Sequence, residues 1–402
     1  MDNSAGMTKR FTNPFPTLHI NETAAAELES LAHVLVDKHV TLYEHFRSVE
    51  SGRVDDQRWK FVSELGDCRA YAERRHGAKA GTDFEIHVDT PQADLPVVLV
   101  TGTIAGDLDD TIYGYICPTI DMMRIKTAYV DDQLVGAHVL ATIVKPTSQD
   151  PYRSVTVKWL EKGQRAAIRA IIKNRDFVYV ESTGVEYLRN GERVGYQLIH
   201  SVHFPETPAL DTLTRGALSM CAVYRQKDAN STEVFIKGFL NPAGGLMRSI
   251  VLRSAAQALL SVSNNAHCSH MKKLVWTVRQ RRSVSGNESH SAEITDRCVT
   301  CQAHPKNIHR MLGGKKRRRT CKVCFQYVCS SCKVKHTLHF MLPDRKLVRQ
   351  DVTFCRNCVE EALSVKTLVV ARDEIQFSDL YNWSDVYASS SGTELTVLDD
   401  LN

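Results

Sequence analysis

Cys298-Val299-Thr300-Cys301, Cys321-Lys322-Val323-Cys324, Cys329-Ser330-Ser331-Cys332 and Cys355-Arg356-Asn357-Cys358 place four Cys-x-x-Cys knuckles within about sixty residues. Each knuckle aims two sulfurs at one point, so two knuckles complete a closed four-cysteine shell with no coordination position left for a substrate. Eight thiolates therefore predict two structural zinc ions as cofactors. The segment holds too few apolar residues for a core of its own, and metal must supply its folding free energy, on the order of 10 kcal/mol per ion. Only four residues separate Cys324 from Cys329. Knuckles that close are hard to fold onto one ion, which favours an interleaved arrangement. Cys298, Cys301, Cys329 and Cys332 are assigned to one zinc, and Cys321, Cys324, Cys355 and Cys358 to the other.

The knuckle order, the short gap before Cys329 and the basic run ahead of Cys321 resemble the FYVE-type zinc finger. That family is a cross-braced module that reads phosphatidylinositol 3-phosphate on endosomal membranes. Its signature Arg-(Arg/Lys)-His-His-Cys-Arg-x-Cys-Gly stands here as Arg317-Arg318-Arg319-Thr320-Cys321-Lys322-Val323-Cys324-Phe325. Both histidines and the glycine are replaced. The family's Trp-x-x-Asp keeps only Asp296, and its Arg-Val-Cys is Thr353-Phe354-Cys355. The finger is FYVE-related and divergent. Met311 and Leu312 form an apolar tip before Lys315, Lys316, Arg317, Arg318 and Arg319; with Lys322 these are the candidate contacts to an anionic phosphoinositide membrane. The same run also fits a nuclear-import signal, a nucleic-acid patch or a solvated charge run.

A chain of 402 residues leaves room for one or two further domains, and 43% hydrophobic with 24% charged residues is a globular composition. The net charge of +5 is modest and largely assignable to the one basic run. Cys68, Cys117, Cys221 and Cys268 are scattered singly, as buried small hydrophobes in a reducing compartment are. Met1 to Arg10 lacks the apolar core of a signal peptide, and no window approaches a membrane span. A cytoplasmic protein is expected, peripheral on endosomal or other anionic membranes, with the nucleus as the alternative.

Working outward from the knuckles, Asn21 is a plausible cap, and Leu28, Leu31, Leu35, Leu42 and Phe46 recur at the spacing of a long amphipathic helix ending near Gly52. From Trp59 the period changes to two. Strands are predicted around Trp59–Phe61, Cys68–Tyr71, Phe84–Val88 and Leu95–Gly102, then a short helical region over Leu108–Met123 broken at Cys117-Pro118. More strands follow at Lys126–Val130, Val135–Val144, Val155–Leu160, Asp176–Glu181, Gly195–His203, Met220–Gln226 and Val234–Phe239. After Gly244-Gly245 a closing helix carries Leu246, Ile250, Leu259 and Val262 on an apolar side.

This α+β outline resembles the START domain, the helix-grip fold that carries lipids. The resemblance rests on Arg175-Asp176-Phe177-Val178-Tyr179-Val180 and on Phe235-Ile236-Lys237-Gly238-Phe239-Leu240-Asn241-Pro242-Ala243-Gly244-Gly245, the passage into a lid helix. It implies a curved antiparallel sheet with long terminal helices and one amphipathic ligand, a phospholipid or sterol, beneath the lid. No wall residue is identifiable, because an inward apolar position looks the same whether it lines a cavity or fills a core.

The expected organisation is a flexible stretch over 1–20, the START-like domain over 21–263, a linker over 264–295, the FYVE-like finger over 296–364, and an acidic, disordered tail over 365–402. Catalytic motifs are missing: there is no phosphate loop, no nucleophile elbow and no His-Glu-x-x-His. His200 and His203 fall on opposite strand faces, and His304, His309, His336 and His339 are spare beside eight cysteines. The expected function is a non-enzymatic lipid-binding adaptor recruited to membranes or to a protein partner. The alternative is a zinc-finger interaction module, a RING-like ubiquitin ligase or a histone- or nucleic-acid-binding nuclear factor, beside a filled α+β core.

Overall fold

The computed structural model describes residues 11–74, 96–130, 132, 134–163, 173–244, 247–285, 297–304 and 320–381. Helix α1 (Glu22–Ser48) starts where the Asn21 side chain accepts the Ala24 N–H at 2.8 Å. Its buried side, Ala32, Leu35, Val36, Val40, Tyr43 and Phe46, lies on a long sheet.

That sheet consists of β1 (Trp59–Leu65), β2 (Cys68–Glu73), β3 (Val97–Ala105), β4 (Leu134–Val144), β5 (Ser154–Lys162), β6 (Arg175–Tyr187), β7 (Arg193–Ser201), β9 (Ala217–Asp228) and β10 (Ser231–Asn241). Its order is β1-β2-β3-β10-β9-β7-β6-β5-β4, antiparallel throughout, with the short β8 (Thr214–Arg215) lying parallel to β6. Alternation along the strands separates two faces. Leu99, Cys221, Val223 and Phe235 point outward beneath α1. Val98, Val100, Ala222, Tyr224, Val234 and Ile236 point to an inner face covered by α2 (Leu108–Tyr115) and α4 (Arg248–Leu260). This is the helix-grip architecture: a sheet wrapped on a C-terminal helix, with an N-terminal helix outside. Gly195 permits the close fit of α2, since a Cβ there would stand 2.6 Å from Ile112 Cγ1.

Four expectations need correction. Residues 126–130, read as a strand, form the end of α3 (Ile120–Val130); packing on both sides of that segment overrides the strand preference of Thr127, Tyr129 and Val130. The linker assigned to 264–295 contains α5 (Asn265–Ser285), whose Met271, Leu274, Val275 and Val278 form a buried stripe hidden in a polar composition. Within the tail assigned to 365–402, α7 (Thr367–Phe377) is ordered because its acids have partners: Trp276 Nε1 donates to Asp373 at 2.6 Å and Tyr113 Oη to Glu374 at 2.5 Å. Phe15 and Leu18, inside the stretch read as flexible, are buried against Val157, Trp159 and Val178. The strand expected at Phe84–Val88 lies outside the described residues, as do 1–10 and 382–402.

The finger contributes a hairpin, β11 (Lys333–Met341) with β12 (Leu347–Cys355), followed by α6 (Arg356–Ser364). Its core merges with the α5 stripe through Val323, Val328, Leu338, Val352 and Phe354.

Candidate metal centres and a buried ion pair

The eight knuckle cysteines gather in two groups, Cys298, Cys301, Cys329 and Cys332, and Cys321, Cys324, Cys355 and Cys358, with the sulfurs of each group within 4.8 Å of one another. The pairing is the interleaved one. Between knuckles, Cys301 Sγ lies 3.7 Å from Cys329 Sγ, and Cys324 Sγ 3.9 Å from Cys355 Sγ. A tetrahedron with metal–sulfur bonds of about 2.3 Å has edges of about 3.8 Å, so both groups fit a metal held by four thiolates.

Backbone geometry prepares the sulfurs for charge. N–H groups point at them from Val323 to Cys321 (3.5 Å), from Cys329 to Cys298 (3.4 Å) and from Cys358 to Cys355 (3.4 Å). Burial works against the Cys298 thiolate, but the N–H groups of Cys329, Cys301 and Thr300 outweigh it and lower its pKa to about 6. The residue after each of two knuckles turns left-handed: Gln302 at φ 57° and Phe325 at φ 58°. Phe325 holds this turn without a glycine's freedom, at a steric cost of roughly 1 to 2 kcal/mol.

The metal groups take no histidine: His304, His336 and His339 lie outside both. Of the expected membrane contacts, Met311, Leu312, Lys315, Lys316, Arg317, Arg318 and Arg319 lie outside the described residues, as does His309. Lys322 is half-buried, and its N–H donates to the Thr353 carbonyl at 3.0 Å.

The inner face of the sheet holds a site that pattern reading missed. Lys158 on β5 is fully buried and paired with the Glu181 carboxylate on β6, itself 3% exposed. Lys158 Nζ also donates to the Cys117 carbonyl at 2.8 Å, and Gln197 Nε2 donates to Glu181 Oε1 at 2.9 Å. Nearby stand Leu160, Phe177, Tyr179, Met220 and Met123. Burial pushes the Cys117 thiol up, so it stays protonated beside the ammonium. An ion pair in such surroundings has a large desolvation cost and is weak evidence for stability alone. The available signal was a lysine and a glutamate each next to apolar residues in mid-strand, Val157 and Trp159 around Lys158 and Val180 before Glu181.

The helices on either side of the finger are seated on α2. Asp110 of α2, 5% exposed, accepts from Ser269 Oγ at 2.7 Å, Thr367 Oγ1 at 2.6 Å and His270 Nε2 at 3.2 Å. Lys273 Nζ lies 3.5 Å from it. One carboxylate thus ties α2 to α5 and α7.

No family model and no curated protein matches the chain. Among solved structures it is similar to human StAR-related lipid transfer protein 5 at 16% identity and TM-score 0.41, over 61% of this chain and 99% of that one. It is similar to human STARD10 at 14% and 0.37, over 60% and 84% of the two chains. A STAR-related lipid transfer protein fragment from Xanthomonas axonopodis gives 12% and 0.34, over 53% and 98%. At these scores the likeness adds nothing to the topology, and the fold rests on strand order and helix placement in this chain: a helix-grip α+β domain carrying two four-cysteine centres in a small module docked upon it.

Proposed function

We propose that this chain is a non-enzymatic lipid-binding adaptor. Its inner face holds one amphipathic lipid, a phospholipid or a sterol, and its two-zinc finger brings the domain to anionic phosphoinositide membranes or to a protein partner. The observation that carries the first half is the Lys158–Glu181 pair. A charge pair placed deep in an apolar layer, at a cost to stability, is a polar anchor for the head of a largely apolar ligand. The sheet order and the gripped α4 support the same reading, as do the START-like stretches at Arg175–Val180 and Phe235–Gly245. The zinc reading is supported by donor chemistry: four soft thiolates per centre, closed to substrate, suit zinc in a structural role. The membrane half rests on knuckle order and on the basic run before Cys321.

Native mass spectrometry of the purified full chain tests both halves of the binding claim. Two bound zinc ions and a co-purified lipid are expected. A protein carrying two metal ions that never retains phosphatidylcholine or cholesterol after incubation with loaded vesicles would refute the carrier reading. Sedimentation with vesicles containing phosphatidylinositol 3-phosphate, against vesicles of phosphatidylcholine alone, tests recruitment.

A further inference from the structure

Helix α3 is covered on nearly every side. Asp121, Met122, Met123, Arg124 and Ile125 are each 6% exposed or less. On one flank the helix meets β4, and on the other it meets β11 and α5. One apolar cluster runs without a break from Leu160, Phe177, Tyr179 and Met220 on the inner sheet face, through Met122, Met123 and Ile125, to Leu347 and Leu380 from the finger and the segment after it. The approach to α3 also closes over the buried ion pair, since the Cys117 carbonyl just before the helix accepts from Lys158.

The finger grips this helix through a specific device. The tip of the β11–β12 hairpin turns at Arg345, whose φ of 61° is left-handed. Its guanidinium pairs with the Asp121 carboxylate in the first turn of α3. Arg124 Nη1 donates to the Arg345 carbonyl at 2.5 Å and lies 3.5 Å from Asp121 Oδ1. At the same end the Leu380 carbonyl accepts from Thr119 Oγ1 at 2.8 Å.

We infer that the finger clamps α3 as a lid over the inner face, and that release of the hairpin tip from Asp121 is the step that opens this face to a lipid. The inference rests on the lipid-binding reading for its ligand but not for the clamp itself. A seat made only of apolar contacts would come apart only with the core. Here the tip brings a cation and a backbone carbonyl to a carboxylate and an arginine of α3, a set that can exchange protein partners for water or a membrane headgroup.

The test uses the full chain with its metal bound and the variant Arg345→Glu, with metal content measured to show that the finger remains folded. Two readouts are taken: hydrogen exchange of the α3 amides, and uptake of fluorescent phosphatidylcholine from phosphatidylcholine vesicles. Charge reversal is expected to speed α3 exchange by about tenfold or more and to speed uptake in step. The conservative Arg345→Lys, which keeps the cation facing Asp121 and Arg124 as they stand, should leave both readouts nearer the parent. Unchanged α3 exchange in Arg345→Glu, with metal retained, would overturn the clamp. Faster exchange with an unchanged uptake rate would overturn release as the opening step. Faster exchange with no uptake by either protein would support the clamp and refute the lipid reading.

Discussion

Asp110→Ala is the substitution that most directly tests whether the finger and the helix-grip domain form one folded unit. The carboxylate sits at the meeting point of α2, α5 and α7, and its partners Ser269, His270, Lys273 and Thr367 all lie beyond residue 263. Burial works against the charged form, yet the hydrogen bonds from His270, Thr367 and Ser269 and the charge of Lys273 prevail and lower its pKa to about 2. Against the ordinary carboxyl value this is worth roughly 2 kcal/mol to the ionised native state. The sign follows: the contribution is complete above the unfolded pKa and is lost as pH falls through the folded value.

Alanine removes that term and leaves the Lys273 ammonium, 2% exposed, without its carboxylate. Truncating one member of a buried pair typically costs about 3 to 5 kcal/mol. Lys273 keeps the Leu363 carbonyl at 2.6 Å, so the lower end, about 3 kcal/mol, is expected. Asp110→Asn, which can still accept from the two hydroxyls, should lose about 2 kcal/mol. Urea unfolding of the metal-bound chain, followed by far-ultraviolet circular dichroism, measures both. A loss under about 1 kcal/mol for alanine, no larger than an ordinary surface substitution, would mean that α5 and α7 are held by something other than this carboxylate.

Three further outcomes are expected. His39, wholly buried on α1, has its pKa lowered to about 4, first by burial and then by Lys237 and Lys38, so its neutral form favours the native state fully above pH 6.5 and loses that contribution as pH falls towards 4. The parent should lose about 2 kcal/mol more than His39→Gln between pH 7 and pH 5 in paired urea titrations. Cys355→Ser should reduce bound metal from two ions to one, read by native mass spectrometry, while α6 keeps its cap, because the serine hydroxyl can accept the Cys358 N–H as the sulfur does. Lys158→Met alone, by stranding Glu181, should cost about 3 kcal/mol or more, whereas Lys158→Met with Glu181→Leu should recover most of it while lipid retention stays lost.

The parts of this molecule legible in its sequence are those where geometry forces a residue type at a fixed spacing. A four-sulfur shell leaves its trace as paired knuckles, and the gap between Cys324 and Cys329 was enough to fix which pairs share an ion. Helix α1 was legible in its extent, because apolar residues recur at helical spacing from its cap to Phe46, but its buried side runs through Ala32, Val36, Val40 and Tyr43 as well as Leu35 and Phe46, and Leu31 is exposed. Helix α5 was not legible, since it is buried on two sides by different partners. Its lysines, Lys272 above the Tyr113 ring at 3.5 Å and Lys273 beside Asp110, look like solvated residues but are 6% and 2% exposed. Helix α7 was hidden for the complementary reason: its acids read as an unpartnered tail when their donors, Trp276 and Tyr113, are remote in sequence. Lys158 and Glu181 escaped because strand alternation assigns charged residues to solvent, and only the register of β5 against β6 brings these two together.

The placement of α5 bears on where the first domain ends. Resemblance put its boundary at residue 263, but the helix that follows packs into both units. Its start touches α2 so closely that a Cβ on Gly114 would stand 1.9 Å from the Asn265 carbonyl, and its middle belongs to the finger core. A fragment cut at residue 263 would uncover Tyr113, which lies under Lys272 and donates to Glu374, together with Met122, Ile125 and the side of the inner cluster closed by Val370, Ala371, Leu347 and Leu380. At about 25 cal/mol per Å² of apolar surface, even a few hundred Å² uncovered would remove on the order of 5 kcal/mol, comparable to the whole stability of an ordinary domain. The fragment should therefore be poorly soluble and bind a hydrophobic dye, and chelating the metal from the full chain should move it towards the same state. A 1–263 fragment that stays monomeric and melts where the full chain does would refute the claim that the two units share one core.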